Sequence, residues 1–116
     1  MGDFVGLEKP SAGSVGGGFL AGVAERTDNY TLKIGAGKDN FMLSALYKLT
    51  SADNLADRYC TAVCYINGEL WYIESGKIRK STMGDVITYD KANGTVKING
   101  TMFEGTTYYT WNYIAW

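Results

Sequence analysis

The chain has no histidine among its 116 residues. That absence removes Ser-His-Asp and Cys-His nucleophilic chemistry, imidazole metal sites and the easiest general base near neutral pH. Proline is nearly missing too, with Pro10 the only one. An excess of positive charge is also lacking: 11 Lys+Arg stand against 12 Asp+Glu, a formal net charge of −1. Such a chain has no electrostatic footprint for a phosphate backbone, and nucleic acid is not an expected partner. No apolar run reaches the ~18 residues a membrane helix needs, so membrane insertion is not expected. The opening MGDFVGLEKPSAGSVGGG has neither the basic head nor the apolar stretch of a secretory signal. Gly6 stands where a myristoylation motif requires Ser or Thr.

Cysteine is scarce, with Cys60 and Cys64 only. On a regular strand the two share a face, with Cα atoms ~13 Å apart. A disulfide needs them within ~7 Å, so the pair reads as two small buried hydrophobes with free thiols. That points to assembly in a reducing cytoplasm. Two thiolates without further Cys or His make a poor metal site. No metal and no cofactor are expected.

What is present describes a folded β protein. A hydrophobic share of 46% against 20% charged residues is that of a globular chain, and the length suits one domain. The 15 glycines favour a turn-rich β architecture, because glycine is costly inside helices. Residues 1–18 are Gly-rich and read as a flexible arm or linker; residues 19–116 read as the β domain.

The organising stretch is residues 58–73, RYCTAVCYINGELWYI. Two β-prone runs flank Asn67-Gly68, the dipeptide best suited to a type I′ hairpin turn, whose two central residues need positive φ. Upstream, residues 19–24 and 30–34 read as a first strand pair with turn material at 27–29. Residues 35–38, GAGK, fail as a phosphate loop, because Asp39 follows Lys38 and Leu32 stands where the first glycine belongs. Residues 40–50 fit a strand and a helix equally by periodicity, and the β surroundings favour strand. Residues 51–57 have the polarity for one or two helical turns capped by Thr50 or Ser51. In the second half, turn signals bound short strands at 77–80, 86–89 and 95–98, and residues 106–116 form a closing strand rich in Thr, Tyr and Trp. This spacing predicts an all-β single-domain antiparallel sandwich or jelly roll, with one short helix left open. The three Asn-x-Thr sequons at Asn29, Asn93 and Asn99 matter only in a secreted eukaryotic protein.

The conspicuous constellation is aromatic. On the closing strand Tyr109, Trp111 and Tyr113 project to one face; Tyr108, Ile114 and Trp116 project to the other. One face must supply core. The other presents amphipathic rings to solvent, to a ligand or to a partner. The expected ligand platform is Trp71, Tyr109, Trp111 and Tyr113, with Asn112 fixing orientation. The competing readings are plain core and a protein interface. Carboxylates at Glu69, Glu74, Asp85, Asp90 and Glu104 are the only acid/base groups for a small glycoside hydrolase, and none sits in a motif. Asp53, Asn54 and Asp57 do not match a calcium loop.

A glycine-rich lead into a β domain that ends on an aromatic strand resembles the distal tip domains of viral or phage fibres. The resemblance implies a homo-oligomer, a trimer in particular, that recognises a cell-surface glycan or protein. The function expected is therefore a non-catalytic binding module. The alternative is a structural oligomerisation domain of a larger assembly.

Overall fold

The computed structural model describes residues 2–3, 5–6, 18–47, 60–100, 103 and 109–116. Most of the expected arm (7–17), the segment with the expected helical turns (48–59) and Glu104 lie outside the described residues. Two dipeptides, Gly2–Asp3 (β1) and Val5–Gly6 (β2), pair with each other in a short parallel ladder. The rest is a sandwich of two antiparallel sheets, and no helix occurs among the described residues.

The strands that follow are Leu20–Val23 (β3), Glu25–Asp28 (β4), Thr31–Lys33 (β5), Phe41–Tyr47 (β6), Cys60–Ile66 (β7) and Glu69–Glu74 (β8). Lys77–Ser81 (β9), Ile87–Asp90 (β10), Thr95–Ile98 (β11) and Tyr109–Ala115 (β12) complete the set. The larger sheet has the order β3-β12-β6-β7-β8-β9 and the smaller β10-β11-β5-β4. The closing strand β12 thus sits inside the larger sheet, paired with β6 along all seven of its residues.

The central hairpin forms as the sequence dictates. Asn67 and Gly68 take φ of 52° and 82°, the two positive values of a type I′ turn. Ser75 and Gly76 repeat the device between β8 and β9. The tie over residues 40–50 resolves to a strand through Tyr47. The expected first strand pair needs correction. Residues 20–23 do not pair with 31–33; they pair with β12, and the chain crosses to the other sheet at Ala24, whose N–H bonds the Trp111 carbonyl at 2.9 Å. The partners of β5 are β4 and β11. One strand-length run serves both layers, because a buried Ala24 is small enough to turn the corner between them.

The core lies between the layers. From the larger sheet come Phe41, Leu43, Cys60, Val63, Leu70, Tyr72, Trp111 and Ala115; from the smaller come Leu32, Ile87, Val96 and Ile98. Phe103 seals one end, its ring edge-on to Trp111 at 5.3 Å between centroids. The Phe103 carbonyl accepts from Arg26 Nη2 at 3.2 Å, and its N–H bonds the Asn29 carbonyl.

Candidate functional site

Two surfaces of this sandwich carry enough organisation to recognise something. The first is the outer face of the larger sheet, the side away from the core. The registers align its outward side chains in two rows across the strands. One row runs Val23, Asn112, Ser44, Ala62, Ile73, Ile78; the next runs Ala21, Ile114, Met42, Cys64, Trp71, Lys80. Ser44, Ala62 and Cys64 are small and sit mid-sheet, while Ile114 and Met42 on one side and Trp71, Ile73 and Ile78 on the other are bulky. The result is a trough of about 470 Å³ floored by Ser44, Ala62 and Cys64 and walled by Trp71, Ile73 and Ile78 on one side.

This face is apolar to an unusual degree for a surface. Val23, Met42, Leu46, Trp71, Ile78 and Ile114 are all large and exposed, Ile78 at 72%. Monomeric proteins rarely leave contiguous apolar patches of this kind exposed. The one cation in the two rows is Lys80, held over the Trp71 ring at 5.2 Å and paired with Glu69 at 3.5 Å. The Asn112 amide donates to the Thr110 carbonyl at 3.4 Å. Covering the face therefore strands little polar surface.

A bulge shapes it. Cys60 pairs with Glu74 and Ala62 with Ile73, so Thr61 is an extra residue on β7. A bulge shifts the alternation by one and bends the strand. Cys60 consequently points into the core while Cys64 points out, which corrects the expectation that the two share a face. Both thiols are free. Burial pushes the Cys60 thiol up to about 12 and raises that of Cys64 as well.

The expected aromatic platform is not one surface. Trp111 is 1% exposed and belongs to the core. Tyr109 and Tyr113 share its side of the strand and are half-buried, Tyr113 packing against the core cluster. Trp71 lies on the opposite, outer face. Asn112 also faces outward, two strands across from Ala62 in the same row. Alternation along β12 was legible, but the side covered by the second sheet is the side with the rings. Sequence reasoning missed Met42, Leu46, Ile78 and Ile114. For Met42 and Leu46 the signal was present, since residues 41–46 are apolar at five of six positions, more than a strand with one wet face requires.

The second surface is a polar cleft of about 400 Å³ at one end of the sandwich, lined by Asp39, Asn40, Tyr65, Asn67, Gly68, Tyr89 and Lys91. Tyr65 comes from the larger sheet and Tyr89 from the smaller, and their rings meet edge-on at 6.4 Å, both against Phe41. Tyr89 donates its hydroxyl to the Lys38 carbonyl at 2.6 Å; burial, partly offset by that bond, raises its pKa. Lys91 Nζ lies 2.6 Å from Asp39 Oδ1, which lifts the lysine pKa further above its ordinary value. The hairpin tip is pinned here: Asn67 N–H donates to Asn40 Oδ1 at 2.9 Å, while Asn40 Nδ2 donates to the Trp116 carbonyl.

The described carboxylates expected as acid/base candidates hold other partners. Glu69 pairs with Lys80 and Glu74 with Arg79. Asp85 accepts from the Ser81 hydroxyl, and Asp90 accepts from Asn93 across its turn. Comparison with protein-family models, curated proteins and solved structures finds no match.

Proposed function

We infer that this domain is a non-catalytic interaction module that self-associates through the outer face of its six-stranded sheet, as part of a larger assembly. The observation that carries the reading is the apolar trough with its bulky flanks. At ~4.8 Å between strands and ~3.3 Å per residue, six strands of this length present roughly 500–600 Å². Two copies face to face then remove about 1,000–1,200 Å², the range at which specific interfaces begin. The face is also self-complementary. A two-fold axis lays the Trp71–Ile73–Ile78 wall of one copy over the Ser44–Ala62–Cys64 floor of the other, residue i meeting j and j meeting i, as an isologous interface demands. Sheet-on-sheet packing at ~10 Å is the ordinary way two such faces meet.

The engaged carboxylates fit a binding role better than a hydrolytic one. The fibre-tip resemblance shares the homo-oligomer with this reading but not its symmetry, since a trimer needs a heterologous contact and this face makes an isologous one. Cys64 lies on the trough floor and reports directly on its covering. Its alkylation by iodoacetamide should slow as protein concentration rises; a rate independent of concentration, with Cys64 freely modified throughout, removes this reading.

A further inference from the structure

We propose that the polar cleft at the Asn67-Gly68 hairpin tip binds a neutral polyhydroxylated ligand, a sugar residue of a glycan. This does not rest on self-association, because the cleft opens between the sheets at the end of the sandwich rather than on the outer face.

Its charges argue for neutrality. The one carboxylate, Asp39, and the one ammonium, Lys91, cancel at 2.6 Å, so neither an anion nor a cation gains a net partner. What remains suits hydroxyl groups, each of which donates one bond and accepts others. Among the described residues Asp39 Oδ2 accepts no hydrogen bond beside the ion pair, and the Asn67 side chain offers a donor and an acceptor that none of them uses. Tyr65 adds a hydroxyl with no partner among the described residues and, with Tyr89, the apolar ring surface that sugar C–H groups cover. A cavity of about 400 Å³ falls in the size range of small-molecule sites.

The cleft is also built in advance of any ligand. Asn40 ties the hairpin tip to the Trp116 carbonyl, Tyr89 is fixed to Lys38, and the Gly37 N–H bonds the Lys91 carbonyl at 2.8 Å. Four segments distant in sequence are locked together around it, so little ordering remains to be done on binding.

The test uses a panel of methyl glycosides, neutral and acidic, observed by saturation-transfer NMR against the full chain. At least one neutral glycoside should receive saturation. Asp39→Ala and Asn67→Gly should each weaken it tenfold or more with the circular dichroism unchanged; glycine accepts the positive φ at 67, so the turn survives. Trp71→Ala, on the outer face, should leave the binding intact. The proposal is overturned if no neutral glycoside binds, if only acidic glycosides do, or if binding is lost in Trp71→Ala and kept in the two cleft variants.

Discussion

Cys60 and Cys64 lie four residues apart on one strand and face opposite sides of the larger sheet, because Thr61 is the extra residue of a bulge. Their chemistry should diverge accordingly. In the dilute native protein an aromatic disulfide reagent should modify one thiol, Cys64, and reach Cys60 only on unfolding. Mass mapping of the labelled peptide checks this. Two thiols reacting at equal rates would mean that the bulge is absent.

The same burial makes stability depend on pH. The folded Cys60 thiol is raised from 9.0 to about 12. Below pH 9 both folded and unfolded chains keep the proton, and the thiol adds no pH dependence. Between pH 9 and 12 the unfolded chain releases it and the folded one does not, so stability falls as pH rises. Going from pH 8 to 10.5 this costs about 2 kcal/mol, at ~1.4 kcal/mol per unit of pKa difference. Tyr72 and Tyr89, also raised by burial, push the same way above pH 10. Urea melts at the two pH values should show a smaller loss in Cys60→Ala than in wild type; equal losses would place Cys60 in contact with solvent.

Trp111 and Trp71 should separate stability from recognition. Trp111→Ala empties a sealed core site beside Phe103 and should cost about 3–5 kcal/mol in denaturant unfolding. Trp71→Ala, at an exposed position, should cost under about 1 kcal/mol in the monomer. Equal costs would argue against the assignment of the two faces.

Gly94 is held at φ of 71°, and a Cβ there would run into the Ile34 carbonyl oxygen. That oxygen lies close because Ile34 N–H bonds the Gly94 carbonyl at 2.8 Å, joining β5 to the β10–β11 turn. Gly94→Ala should therefore lose more than about 2 kcal/mol, from the left-handed backbone and the clash together. At Gly68, also left-handed but with open space around its Cβ position, the alanine variant should lose less. Thermal melts of the pair rank them.

The parts of this fold that were legible in the sequence are those decided locally. Asn67-Gly68 states its own turn, and the alternation of β12 groups Tyr109, Trp111 and Tyr113 on one side without any neighbour. What was not legible depends on partners. Thr61 is a bulge only because β8 offers one residue where β7 offers two. The inward side of β12 is decided by where the second sheet lies, and residues 20–28 change sheets at a corner that no propensity marks. The cleft was hidden for a related reason. Asp39, Asn67 and Lys91 each have a sufficient local role beside a turn, and nothing in the sequence separation says that the three turns meet.

Self-association through the larger sheet is tested most directly by sedimentation velocity across a range of concentrations, on wild type and on Ile78→Lys. Ile78 is 72% exposed on an edge strand, so the lysine leaves the monomer fold intact while placing a charge in the trough wall. Wild type should sediment as a dimer or higher oligomer at micromolar concentration, and Ile78→Lys as a monomer with unchanged circular dichroism. A wild type that remains monomeric throughout the range, or a variant that associates as wild type does, contradicts assembly through this face.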